Sequence, residues 1–173
     1  MAHITIEIKA KCKNQDYIRK ILKKNKARFI GTDHQVDTYF KARKGRLKIR
    51  EGTIENSLIY YNRENKKGPK KSKVLMVKLK KNNDIKEILK EVLKVSAVVD
   101  KKREIYFIKN IKFHIDNVRS IGKFMEIEAI DENGKIGRKK LLSQCRYYLK
   151  LFKINKSSMV NCSYSDMLKN KLK

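Results

Sequence analysis

Proline occurs once in the 173 residues, glycine seven times and tryptophan not at all. That scarcity argues against a collagen-like or proline-rich chain. Cysteine is scarce as well: Cys12, Cys145 and Cys162 stand far apart, are odd in number and lack CxxC spacing. The pattern argues against a disulfide framework or a zinc site and points to a reducing interior. His3, His34 and His114 are scattered, with no HExxH among them. No apolar run approaches the ~20 residues a membrane span needs. The opening Met1-Ala2-His3-Ile4-Thr5 lacks the apolar stretch of a signal peptide. The expectation is a single domain over residues 1–173, cytoplasmic or nuclear, without a membrane partner, and either a monomer or a homodimer.

Positive charge is abundant. Lysine and arginine number 45 against 18 acidic residues, a formal charge of +27. Such an excess makes a partner without negative charge a poor match. Lysine supplies 35 of the 45, alongside frequent Asn and Ile. An AT-rich genome encodes that mix, so the charge has two readings: a solvated decoration, or affinity for a polyanion such as RNA. Hydrophobic residues make up 40%, enough for a packed core and too many for a disordered chain.

Strand patterns dominate. Residues 3–12 alternate Ile4, Ile6, Ile8 and Ala10 with Thr5, Glu7, Lys9 and Lys11. Further strands are expected over 35–42, 45–50, 57–63, 73–80, 97–108, 111–118 and 123–130. Helices are expected after Asn14, after Asn83 or Asp84, from Lys139 to Phe152, and from Ser163 or Ser165. The stretch 65–72, rich in Lys with Gly68 and Pro69, reads as a loop. Strands with inserted helices place the chain in the α+β class.

Period-two alternation assigns the charges to faces. Arg46, Lys48 and Arg50 share one face, as do Lys101 and Arg103. Lys112, His114 and Asp116 share another, and Glu126 and Glu128 a fourth. One reading is an antiparallel sheet with a wet face. Two features oppose it. The polar faces are almost purely charged, and the carboxylates of Glu126 and Glu128 repel unless a cation sits between them. The other reading is a barrel with the charges inside and the apolar faces outside, under the helices. Its lumen would carry eight cations and four carboxylates. Bare buried charges cost several kcal/mol each, so such a lumen wants water, hard cations and a compact polyanion.

Several segments resemble the CYTH family of the triphosphate tunnel metalloenzymes. They are Ile6-Glu7-Ile8-Lys9-Ala10, Val36-Asp37-Thr38-Tyr39-Phe40, Gly45-Arg46-Leu47-Lys48-Ile49-Arg50-Glu51 and Leu58-Ile59-Tyr60-Tyr61-Asn62-Arg63. Asp100-Lys101-Lys102-Arg103, His114-Ile115-Asp116-Asn117-Val118 and Ile121-Gly122-Lys123-Phe124-Met125-Glu126-Ile127-Glu128 continue the series, and Ser163-Tyr164-Ser165-Asp166-Met167-Leu168 ends it. The resemblance covers nearly the whole chain in order and is nearest to the class IV adenylyl cyclase-like and thiamine triphosphatase-like branch. It implies a closed eight-stranded antiparallel barrel with a charged lumen and helices outside, and divalent-metal chemistry with Mg²⁺ or Mn²⁺ on a triphosphate-bearing small molecule.

The site follows by the same resemblance. Glu7 and Lys9 match the last two members of the E-x-E-x-K signature, and Glu126 and Glu128 match the late acidic pair. Asp116 completes the metal-binding acids Glu7, Asp116, Glu126 and Glu128. Lys9, Lys48, Arg50, Arg63, Lys101 and Arg103 match phosphate-contacting positions; Lys11 and Arg46 join them by face alone. Glu7, Lys9, Glu126 and Glu128 are the expected catalytic group. Thr5 departs from the pattern, because it stands where the signature has its first Glu, and a hydroxyl is a poor ligand for a hard cation. Hydrolysis of an inorganic, nucleoside or thiamine triphosphate is the expected activity. Cyclisation of ATP to cyclic AMP and pyrophosphate is the alternative. A non-catalytic binder of nucleotide, polyphosphate or RNA 5′-triphosphate is the third reading.

Overall fold

The computed structural model describes residues 3–63, 65 and 68–171. Eight strands run in the order β1 (His3–Lys11), β2 (Arg28–Phe40), β3 (Arg46–Gly52), β4 (Ser57–Asn62), β5 (Lys70–Lys78), β6 (Val95–Ile108), β7 (Ile111–Val118) and β8 (Gly122–Asp131). They close an antiparallel barrel in the spatial order β1-β5-β4-β3-β2-β6-β7-β8. Closure comes from β1, which pairs with β5 on one side and β8 on the other. A closed sheet has no free edge to recruit another chain. It also gives the barrel an inside and an outside, so the alternation in each strand becomes a choice between lumen and helix layer.

The larger core lies outside the barrel, as the alternation predicts. Ile6, Ile8 and Ala10 of β1, Ile111, Phe113 and Ile115 of β7, and Met125, Ile127 and Ala129 of β8 form one buried apolar surface. Helices α1 (Gln15–Lys24) and α3 (Arg138–Leu151) cover it with Ile18 and Leu22, and with Leu141, Cys145 and Tyr148. Each such side chain contributes about 1.5–3 kcal/mol by leaving water. The Asn14 side chain caps α1 by accepting the Tyr17 N–H at 3.0 Å. Asp16 in its first turn and Lys23 and Lys24 in its last suit the helix dipole.

A second apolar cluster sits inside. Tyr39, Tyr61, Val99, Val118 and Phe124 share the inward faces of their strands with the charged residues and pack against Val160 and Tyr164. Helix α4 (Tyr164–Lys171) is thereby docked across one end of the barrel. Its start is a reciprocal cap: the Ser163 hydroxyl accepts the Asp166 N–H at 3.1 Å, and the Asp166 carboxylate accepts the Ser163 N–H at 3.1 Å.

Helix α2 (Ile85–Val92) buries nothing, and Ile88 and Val92 stand open to solvent. No described helix is long and apolar enough to cross a membrane. Two expectations shift. β2 begins at Arg28 rather than 35, so that Asp33 joins Gln35 and Asp37 on its inward face. Lys70 to Ser72 belong to β5 rather than to a loop. Lys66 and Lys67 of the expected loop lie outside the described residues.

Candidate active site

The lumen holds a carboxylate with three cations on it. Asp37, inward on β2, lies across from Arg50 of β3 and near Lys101 of β6. Its carboxylate accepts Lys48 Nζ at 2.7 Å, Lys101 Nζ at 2.6 Å and Arg50 Nε at 2.8 Å. All four side chains are buried. Burial alone would raise the Asp37 carboxyl, but Arg50, Lys101 and Lys48 hold it well below the usual range. The cations are under opposite pressure. Burial, with Arg50 beside it, pushes Lys48 down to about 8. Burial also drives Lys101 well below its ordinary value despite Asp37. Glu55 meets Arg50 as well, at 2.9 Å, but it is shared with Lys112, so these two carboxylates face four cations and leave positive charge over.

A second group centres on Glu126 of β8. Its carboxylate takes Lys9 Nζ at 3.1 Å, Arg103 Nη2 at 2.8 Å and His114 Nδ1 at 3.0 Å. Arg103 also forks onto Asp116 at 2.7 and 2.5 Å, and the Tyr164 hydroxyl donates to Asp116 at 2.7 Å. The ammonium of Lys9 lies 3.4 Å from the Tyr164 ring centroid, so α4 contributes to this group directly. Burial raises the Glu126 carboxyl, and Arg103, Lys9 and His114 more than reverse it. These cations answer the repulsion that Glu126 and Glu128 would otherwise feel.

Two lysines and a glutamate join the lumen from outside the expected set. Lys70 is 1% exposed, and among the described residues its ammonium donates only to the Val160 carbonyl, at 2.8 Å. Burial, then Arg63 and Lys9, push it down to about 7. Glu55, on the β3–β4 turn, pairs with Lys112 and, at 2.9 Å, with Arg50 Nη1. Asp33 holds that turn by accepting the N–H groups of Ile54 and Glu55 at 2.9 and 3.0 Å. Gly52 leaves room for it, since a Cβ there would lie 2.6 Å from the Glu55 carbonyl oxygen.

The remaining expected residues divide. Glu7 is inward and ion-paired with Arg63, and Glu128 is its direct partner on β8. Arg46 reaches Asp166 of α4 at 2.8 Å, at the rim. It borders a cleft of about 420 Å³ with Arg63, Asn62, Ser165 and Lys169. Lys11 is exposed at the end of β1 and joins neither group. Thr5 is buried, and its hydroxyl has no hydrogen-bond partner among the described residues; the same holds for Ser72, its register partner on β5.

The acids suit a hard divalent cation in kind, since all are oxygen donors. Glu7 and Glu128 face each other across β1 and β8, with Glu126 one inward position along. Facing carboxylates repel, and Glu128 has no ion pair among the described residues, so this pair fits a cation. Asp116 fits less well, because Arg103 and Tyr164 already occupy its oxygens, and Glu126 would have to exchange Lys9, Arg103 or His114 for a metal. Among the described residues no three acids or histidines form a ready metal cage.

The model of the CYTH domain matches residues 3–154. A protein of Methanocaldococcus jannaschii named "Putative adenylate cyclase MJ0240" is 29% identical over 182 residues, covering 95% of this chain and 98% of its own. The PH1012 protein of Pyrococcus horikoshii OT3 superposes with a TM-score of 0.77 at 25% identity, over 94% of this chain and 98% of its own. HpAC1 of Hippeastrum, which has a dominant triphosphatase activity, shares the fold alone: TM-score 0.65 at 11% identity, over 98% and 96% of the two chains.

Proposed function

The chain belongs to the CYTH family, and from that premise we propose that it is a divalent-metal-dependent triphosphatase that binds the triphosphate inside the barrel. The observation that carries this reading is the surplus of buried cations around Asp37, three on one carboxylate. A triphosphate supplies the missing negative charge in compact form. Arg50 and Arg103 present planar forks suited to paired phosphate oxygens, and Lys9, Lys48, Lys70 and Lys101 add point charges. Arg63, just past the end of β4, is placed to serve the same substrate.

Glu7, Glu126 and Glu128 would hold the metal, which when bound neutralises charge on the transferring phosphoryl group. The protein's own contribution is positioning. Lys48, Arg50 and Arg103 fix the phosphate chain against the wall, so that water can attack one phosphorus while the bridging oxygen leaves with the rest of the substrate. Those cations keep the departing oxygen's charge stabilised without reorganising, which is how a preformed electrostatic site lowers a barrier.

The rim favours hydrolysis over cyclisation. Its cleft is lined by charged and hydroxyl groups, and its two rings, Tyr39 and Phe40, are buried, so no open aromatic face awaits a base. The test is a product-resolved assay with Mg²⁺ or Mn²⁺ on tripolyphosphate, ATP, GTP and thiamine triphosphate. Orthophosphate release that disappears in Glu126→Gln is the expected result. Cyclic AMP with equimolar pyrophosphate would make the protein a cyclase. Tight binding without turnover would make it a binder.

A further inference from the structure

Between Asn133 and Ser165 the chain has eight lysines and arginines and no Asp or Glu. At the chain's average, 18 acids in 173 residues, a stretch of that length would carry about three. All eight basic residues are exposed, and none is ion-paired among the described residues. On α2, by contrast, Lys90 pairs with Glu87.

Helical geometry concentrates this charge. Lys139, Ser143, Arg146 and Lys150 follow one another at spacings of four, three and four, so they form a single stripe along α3. The opposite face of α3, with Leu141, Cys145 and Tyr148, is buried against the barrel. Lys153 and Lys156 prolong the charge beyond the helix. Tyr147 flanks the stripe, 57% exposed, with its ring edge-on to Tyr148 at 5.0 Å between centroids. An open aromatic face held still beside a basic track is the arrangement that binds single-stranded nucleic acid: the charges follow the backbone and the ring stacks a base.

We propose that the exposed face of α3, Lys139–Arg146–Lys150 with Tyr147, is a binding surface for single-stranded nucleic acid. It is separate from the lumen and independent of what the lumen hydrolyses. A membrane surface is the poorer match. Lipid-binding helices insert an apolar face, and the apolar face of α3 is already spent on the core.

The test uses the full-length protein and a fluorescent 20-nucleotide single strand bearing a 5′-hydroxyl, so that no triphosphate can engage the barrel. The variant Lys139→Glu/Arg146→Glu/Lys150→Glu is compared with Lys80→Glu/Lys81→Glu/Lys94→Glu, which changes the net charge equally at exposed positions flanking α2. We expect the α3 variant to bind at least about 30-fold more weakly at low salt, with the salt slope shallower by about 2 for three lost phosphate contacts. The α2 variant should stay within threefold of wild type. Tyr147→Ala should weaken binding about fivefold or more at a salt concentration where the charge contribution is small. Both charge variants should keep the wild-type melting temperature and turnover of tripolyphosphate. Equal losses in the two would overturn the proposal in favour of diffuse charge. Wild-type binding only to phosphatidylserine vesicles, or to neither probe, would overturn it as well.

Discussion

Replacing Asp37 by Asn removes the carboxylate that accepts from Lys48, Arg50 and Lys101 at 2.7, 2.8 and 2.6 Å; among the described residues only Arg50 keeps another acid, Glu55 at 2.9 Å. The amide is nearly isosteric, so the perturbation is electrostatic. Removing one partner from a buried ion pair costs about 3–5 kcal/mol, because the other charge stays buried without compensation. For a domain of this size each kcal/mol moves the melting temperature by about 2–4 °C, so a fall of roughly 10 °C is expected. The same cations are the proposed phosphate site, so ligand should recover part of that loss. Tripolyphosphate at 100 times its dissociation constant stabilises a protein by about 2.7 kcal/mol. Its affinity should be higher in the variant, where no carboxylate competes for the cations. The assay is thermal unfolding by circular dichroism, in EDTA to prevent turnover, with and without tripolyphosphate. A variant that melts within 2 °C of wild type, and gains no more than wild type from tripolyphosphate, would refute the claim that Asp37 is the counter-ion of an anion site.

Glu128→Gln should lower turnover at saturating metal by at least about tenfold, equivalent to about 1.4 kcal/mol of barrier; unchanged turnover would remove Glu128 from the metal site. Triphosphate binding at pH 8 should take up protons, because Lys48 and Lys70, held at about 8 and about 7, are partly neutral there and an adjacent polyanion raises both. Calorimetry in buffers of different ionisation enthalpy reads the uptake, and none at pH 8 would contradict the lumen site. Affinity should accordingly fall as pH rises from 7 to 9. Gly52→Ala should destabilise by about 1–3 kcal/mol, since its Cβ would meet the Glu55 carbonyl and the Asp33 carboxylate; a melting temperature equal to wild type would show that the turn adapts.

The alternation in β1, β3, β7 and β8 was legible because each strand keeps period two over most of its length, and it put most of the right side chains on the inward face. Closure was not legible from that pattern. It depends on β1 pairing with both β5 and β8, a long-range choice that local periodicity does not encode, and only the family resemblance supplied it. Asp37 sat in a segment that carried the resemblance, yet a lone carboxylate among β-formers gave no signal. The spacing of Asp33, Gln35 and Asp37 would have shown a polar inward face continuous with it. Lys70 was hidden by the Gly68-Pro69 loop signal. Glu55 lies on a turn, where no period assigns direction, and its inward placement follows from the backbone bonds to Asp33. Alternation put His114 on the face of Lys112 and Asp116 without showing its partner. One ring nitrogen does meet Glu126, while Nε2 is buried without a partner among the described residues.

The central claim is that the lumen cations and the acids of β1 and β8 together hold a metal–triphosphate complex. A crystal structure with imidotriphosphate and Mn²⁺, located by its anomalous signal, tests it most directly. The account predicts phosphate oxygens on Lys48, Arg50 and Arg103, and a manganese peak ligated by carboxylates among Glu7, Glu126 and Glu128. An analogue bound outside the barrel, or a manganese site away from those three glutamates, would contradict it.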